Sequence, residues 1–328
     1  MDMIYNIVKT KVIGVDISND RTTYAVVDIR GNIFAKDHLD TTRFDNPDAF
    51  VGALSEGIVA MIEANGGYES IRSIGVSAPS ANSQTGYIEN AANLPWKGSI
   101  PLAVMLRERI GLAVGLSNDA HISALGEYAF GSAHGMKNFI VVALGVGLGS
   151  CFFSEDREHF GNNGFAGEFG HTCVEQNGRL CGCGHRGCLE SYVASKGIVQ
   201  TACELMAASD KPSLMRDISK LTPKLITDCC EQGDEMAIEV YRRTGQLLGM
   251  GLANYASIID PEAIILTGGI ALAGKWLYEP AYESFEHHIF GNMRGKVKLL
   301  LSQLDNHERD VLGASVLAWS VPEYSLFK

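Results

Sequence analysis

The chain lacks a long hydrophobic run. Its most apolar stretch, residues 139–153, is broken by Gly145, Gly147 and Gly149 and falls short of the ~20 residues that span a bilayer, so it reads as buried strands. A membrane partner has no support. The amino terminus begins Met1, Asp2, Met3, with no basic segment followed by an apolar core; secretion is therefore not expected and a cytoplasmic location is. Positive charge is in deficit too. Lys and Arg number 27 against 38 Asp and Glu, and a formal net charge of -11 repels nucleic acid and anionic surfaces, which favours a small-molecule partner. No GxxxxGK[ST] run occurs, so any phosphate binding must use something other than a Walker-type loop.

What is present suffices for more than one core. At 328 residues the expectation is one two-lobed enzyme or two domains, and 36 glycines imply many tight backbone approaches. Residues 11–16 form a β-branched run, and 22–28 follow a turn at 18–21, which predicts a hairpin. Asn46 and Pro47 then open a helical pattern carried by Phe50, Leu54, Ile58 and Ile62, and residues 71–77 give the next strand. Strand, helix, strand implies a parallel sheet. A strand at 113–116 precedes Asn118 and Asp119, which open a helix to about Phe130. Residues 139–144, the turn 145–149 and residues 150–153 repeat the opening hairpin, so one unit is used twice. Helical periodicity then runs over 191–205 and 236–259, ahead of a strand at 263–267 and the pair Gly268 and Gly269. The last helix, within 310–320, could fold back on the first lobe.

His171, Cys181, Cys183 and Cys188 offer one imidazole and three thiolates, a donor set that suits tetrahedral structural zinc with no open position. Gly182, Gly184 and Gly187 let so short a loop curl until three sulfurs converge. The bland alternative is a reduced, glycine-rich surface loop. A formal GxGxxG match in the same loop is rejected, because no apolar strand leads into it. Cys151, Cys173, Cys203, Cys229 and Cys230 are expected to be small buried hydrophobes.

Gly145, Gly147 and Gly149 can aim successive N–H groups at an anion, although such hairpins are often only tight turns. Asp119 at a strand-to-helix junction reads locally as a plain helix cap. Glu168 and Glu190 flank the cysteine loop, and fixed carboxylates beside an imidazole can discriminate the hydroxyls of a sugar.

At these residues the sequence resembles the ROK family of repressors, open reading frames and sugar kinases. The resemblance is strongest at GEFGH (167–171) and CGCGHRGCLE (181–190), which are similar to the family's zinc signature in residues and spacing. It implies a mixed α/β, two-lobed actin-like ATPase (ribonuclease H-like) fold: a smaller lobe over 1–118, to which the last helix returns, and a larger lobe over 119–309 with the zinc loop at 171–190. It also implies ATP-dependent phosphorylation of a hexose, most often glucose at the 6-hydroxyl, with Mg²⁺ on the phosphates, structural Zn²⁺ and a homodimer. Asp119 would be the general base. Asn93, Asn118, Asp119, Glu168, His171 and Glu190 fall at sugar-binding positions. Asp16, Ser18 and Asn19 match the first phosphate turn, Gly145, Val146, Gly147 and Gly149 the second, and Gly268 with Gly269 the turn beside the adenosine.

The sequence departs from that pattern at the first turn, where the family usually has DxGGT and this chain has Asp16, Ile17, Ser18, Asn19 and Asp20. Asp20 places negative charge near the phosphates; two unit charges ~4 Å apart repel by about 4 kcal/mol at an effective dielectric of 20. Val146 replaces the usual Thr of the second turn, and His121 the usual Asn of the NDAN run, where an effect at the pocket edge is expected. The alternative to a kinase is therefore a weakened or inactive sugar-binding regulator. A DNA-binding repressor would need a helix-turn-helix before Lys11, where about ten residues stand.

Overall fold

A computed structural model describes residues 8–91, 94–305 and 308–322, and the chain divides into two units: Met1–His134 with Leu304–Lys328, and Gly135–Gln303. In the first, β1 (Lys11–Ile17), β2 (Arg21–Asp28) and β3 (Ile33–Asp40) form an antiparallel meander. The helix α1 (Pro47–Ala64) follows, its N-terminus fixed by Asn46, whose side chain accepts from the Ala49 N–H at 2.8 Å. β4 (Ile71–Ser77) then pairs in parallel with β1. A small sheet of β5 (Ala81–Asn82), β6 (Tyr87–Glu89) and β7 (Ser99–Ile100) leads to α2 (Leu102–Ile110), β8 (Ala113–Ser117) and α3 (Asp119–Phe130). The main sheet runs β3-β2-β1-β4-β8.

The last helix, α9 (Arg309–Ser320), lies on this sheet. It can approach because Gly14 and Gly75 leave β1 and β4 bare: a Cβ at Gly14 would stand 2.3 Å from the Val311 carbonyl oxygen, and one at Gly75 1.9 Å from that of Ala314. α9 also packs on α3, which therefore belongs to the first unit. The boundary expected at residue 119 thus falls after His134.

The second unit repeats the plan. β9 (Phe139–Leu144) and β10 (Leu148–Ser154) make the hairpin, and β11 (Arg157–Glu158) extends it. Beyond the cysteine loop come α4 (Glu190–Val193), α5 (Ser195–Ala208), α6 (Pro223–Glu231) and α7 (Glu235–Ile259), then β12 (Ala263–Thr267), α8 (Lys275–His288) and β13 (Lys298–Leu301). The order β11-β10-β9-β12-β13, with two antiparallel and two parallel pairings, is that of the first sheet position by position. Its core gathers Ile140, Val142 and Leu144 with Leu248, Leu252, Tyr255 and Phe285.

Two readings change. The helix expected over 191–205 is interrupted at Ala194, whose backbone is extended (φ -83°, ψ 171°), because Ser195 turns its N–H and hydroxyl to the Gly145 carbonyl at 3.0 and 2.8 Å. β3 gave no signal as a strand, being an edge strand with half of its side chains exposed and none fully buried. Among the described residues no helix is long and apolar enough to cross a membrane.

Candidate functional site

In the first unit, Asp16, one residue before the end of β1, lies opposite Ser77 of β4, and α3 begins at Asp119. Asn118 is the cap of α3: its side chain accepts from the His121 N–H at 2.9 Å. Asp119 is thus the first helical residue and not the cap, although one carboxylate oxygen accepts from the Ala120 N–H at 2.9 Å. Its surface is exposed, yet the protein gathered around it, and next the charge of Asp310, hold its carboxyl above the usual range. The half-buried Asp16 is pushed up to about 8 by burial first and then by Asp310, with Ser77 beside it and Arg309 acting the other way. Asp310 comes from the first turn of α9. It accepts from the Ser123 hydroxyl at 2.8 Å and from the buried Arg309 guanidinium at 2.8 and 2.7 Å. Neither Arg309 nor Asp310 was singled out from the sequence; the available signal was a charged pair opening an otherwise apolar helix.

The turn after Asp16 is closed by a side chain. The Ser18 N–H and hydroxyl both donate to the Arg21 carbonyl, at 3.0 and 2.7 Å, and the hydroxyl also lies 3.2 Å from an Asp20 carboxylate oxygen. None of Ser18, Asn19 and Asp20 has positive φ, so the turn has no need of the left-handed backbone that glycine would supply.

In the second unit the turn 145–149 joins β9 to β10, with the Gly145 N–H donating to the Gly147 carbonyl at 3.0 Å. It is held from below. A Glu190 carboxylate oxygen accepts from the Leu148 N–H at 3.0 Å, and Ser195 grips the Gly145 carbonyl. Val146 is 64% exposed at the tip. Gly268, at φ +91°, sits where a Cβ would meet the Leu144 carbonyl oxygen at 2.3 Å, which brings its turn against the end of β9.

The cysteine loop follows the GEFGH run. Phe169 stacks on Tyr255 with ring centroids 4.0 Å apart, and the Tyr255 hydroxyl donates to the Phe169 carbonyl, which fixes the backbone between Glu168 and His171. Residues 181–185 make a tight turn in which the Cys181 N–H donates to the His185 carbonyl at 2.8 Å. The donor atoms of His171, Cys181, Cys183 and Cys188 all lie within 4.8 Å of one another. His171 Nδ1 is 3.7 Å from Cys181 Sγ, and Cys183 Sγ is 3.6 Å from Cys188 Sγ. A tetrahedron with ~2.3 Å metal–sulfur bonds has edges of ~3.8 Å, so the four donors fit zinc. Burial, then the facing thiols, pushes the Cys188 thiol up to about 12, and a cation is what would displace its proton. The other imidazole nitrogen of His171 is 3.9 Å from Glu168, and the second oxygen of Glu190 is 3.7 Å from Cys181 Sγ. Arg179 ties the loop down, donating to the Ser191 and Gly197 carbonyls and to Glu204 at 3.2, 2.9 and 2.6 Å. Sequence reasoning missed Arg179, for which nothing local gave a signal.

The structure places Asp16, Asn118 and Asp119 together in the first unit, and Glu168, His171, Glu190 and the glycine turns together in the second. Asn93 lies outside the described residues. His121 is buried in α3. Cys151, Cys229 and Cys230 are buried as expected, but Cys173 and Cys203 are exposed. Cavities of about 920 and about 900 Å³ in the second unit, the first beside Arg179 and His288 and the second beside Lys211 and Asp234, are lined by none of these residues; volume alone does not mark the chemistry.

The family model described as "ROK family" matches residues 12–321. The chain is 33% identical to the glucokinase of Streptomyces coelicolor over 314 residues, 93% of this chain and 96% of that one. It is 30% identical to the glucokinase of Thermotoga maritima, over 94% of this chain and 96% of the relative. Among solved structures it is similar to a ROK family glucokinase from Streptomyces griseus in complex with glucose and AMPPNP, with a TM-score of 0.79 and 30% identity over 94% of this chain and 99% of that one.

Proposed function

The chain belongs to the ROK family, and on that premise we propose that it is an ATP-dependent sugar kinase that phosphorylates a hexose, with glucose at its 6-hydroxyl as the preferred acceptor. The observation that supports this best is Asp119. The cap of α3 is supplied by its neighbour Asn118, and the Asp119 carboxyl is held above the usual range, which makes it a stronger proton acceptor than a free aspartate.

In this reading Asp119 takes the proton from the attacking hydroxyl. Asn118, Glu168, His171 and Glu190, with Asn93, hydrogen-bond the remaining hydroxyls. The backbone of Gly145, Val146, Gly147 and Gly149 cradles phosphate oxygens with no basic side chain, and Glu190 and Ser195 keep that cradle from flattening. Asp16, Ser18 and Asn19 face the phosphates from the first turn, and Gly268 and Gly269 let the adenosine approach the backbone. Mg²⁺ bound with the nucleotide would supply positive charge against the phosphates and Asp16. Zn²⁺ on His171, Cys181, Cys183 and Cys188 would have four protein ligands and no open position, so it serves as a brace.

A coupled phosphorylation assay over glucose, mannose, fructose, allose and N-acetylated amino sugars, with ATP and other donors, tests the proposal. Turnover that is greatest with glucose and ATP is expected. Sugar-dependent thermal stabilisation with no turnover for any pair would overturn the kinase reading and leave a sugar-binding regulator. Stoichiometric zinc in the purified protein is expected from metal analysis.

A further inference from the structure

Cys173 stands outside the four-ligand set but directly opposite one member of it. The Leu189 N–H donates to the Thr172 carbonyl at 3.0 Å and the Val174 N–H to the Gly187 carbonyl at 2.8 Å, so Cys173 and Cys188 face each other across an antiparallel bridge as the pair that exchanges no backbone hydrogen bonds. Such a pair has its Cα atoms about 4.5 Å apart with both side chains on one face. Disulfides span Cα separations of roughly 4.4–6.8 Å, so only side-chain rotation separates these thiols from a bond. Gly187 keeps the approach open: a Cβ there would stand 3.1 Å from Cys173 Sγ, and its φ of +78° favours glycine independently. Cys173 is exposed while Cys188 is buried.

We propose that Cys173 is a site of oxidative modification whose thiol forms a disulfide with Cys188, removing a ligand from the zinc set and releasing the ion; the release half rests on the zinc assignment above. The oxidant is a small disulfide such as oxidised glutathione. The exposed Cys173 thiol loses its proton and attacks one sulfur of that disulfide, expelling the first thiolate and leaving a mixed disulfide. The Cys188 thiolate then attacks the Cys173 sulfur and expels the second. Two cysteine sulfurs are oxidised, one small disulfide is reduced to two thiols, and the ion is left with three donors. A free thiol at a position without a metal to shield it reacts first, and its resolving partner is the residue already facing it.

The test uses the full chain as purified, reduced, desalted and exposed to oxidised glutathione. Zinc release is followed with a chromophoric chelator and disulfides are mapped by non-reducing peptide mass spectrometry. Expected are zinc release in step with a cross-linked peptide joining Cys173 to Cys188, full zinc content in Cys173→Ser, and release from that variant slower by about tenfold or more. Cys173→Ala serves as a second variant should the serine disturb folding. Release from both variants at the unmodified rate would overturn the proposal. So would a map showing Cys183 joined to Cys188, or Cys173 ending as a stable glutathione adduct. Protein without zinc before oxidation would sink the release half and the zinc assignment together, whereas the map reads the bond independently of the metal.

Discussion

Two hairpin turns occupy equivalent places in two sheets of identical strand order, and they are built in opposite ways. The turn from β9 to β10 is glycine-rich and held from outside, by Glu190 on the Leu148 N–H and Ser195 on the Gly145 carbonyl. The turn from β1 to β2 has no glycine and closes on itself, through the Ser18 hydroxyl on the Arg21 carbonyl. The first arrangement leaves backbone N–H groups available to an anion. The second spends its hydroxyl internally and adds the exposed carboxylate of Asp20. A duplicated scaffold thus fixes where a turn lies, and the local side chains decide what the turn can bind.

That comparison matters only if the turns serve a reaction, and Asp119→Asn breaks it most severely. Loss of a general base is expected to cut kcat by ~10²–10⁴-fold. KM for the sugar should change little, and steady-state kinetics read both. A variant with near-normal kcat would remove Asp119 from the chemistry.

Gly147→Ala tests the externally held turn. The added Cβ would meet a Glu190 carboxylate oxygen at 2.7 Å, and the side chain can yield only by giving up the Leu148 N–H. Hydrogen bonds to charged groups are worth ~1.5–3 kcal/mol, and Glu190 is half-buried, so a loss of about tenfold in kcat/KM for ATP is expected. Glu190→Gln, which keeps one acceptor, should lose less.

The readability of these features from the sequence followed their locality. The cysteine loop, with its glycines, was legible because ligand type and short spacing determine the geometry within twenty residues. The hairpin repeat was legible because strand and turn signals are local. Asp310 was not, since its importance comes from α9 returning across Gly14 and Gly75 to bring it beside Asp16 and Asp119. The edge strand β3 was not legible either, because its exposed, charged face gives no alternation. Cys173 was misjudged for a related reason: composition favours buried cysteines, whereas its exposure and its place opposite Cys188 are set by the folded loop.

Converting Ser18, Asn19 and Asp20 to Gly, Gly and Thr tests the self-closed turn. Asp20 is exposed, so the repulsion estimated at an intermediate dielectric gives way to the aqueous figure of about 1 kcal/mol at ~4 Å. A rise of about fivefold in kcat/KM for ATP is expected. An unchanged value would show that the two turns differ in construction without differing in use.

The smallest effect is a shift of the pH profile. A carboxyl whose pKa is raised keeps its proton to higher pH, so a base of this kind loses activity as pH falls through the raised value. Asp310 is, after burial, the next largest cause of the shifts at both Asp16 and Asp119. Asp310→Asn removes that charge and frees the Arg309 guanidinium to act more strongly on Asp16 and Asp119, and both changes favour ionisation. The acid limb of kcat/KM should therefore move to lower pH. Stability runs the opposite way with pH: the folded state keeps protons that the unfolded chain releases above ~4, so stability falls as pH rises from there towards about 8, the value to which Asp16 is pushed. In Asp310→Asn that slope should flatten, even though breaking a buried ion pair lowers stability throughout. An acid limb that stays in place while the slope flattens would assign Asp310 to Asp16 and the first turn, and a limb that moves would assign it to Asp119.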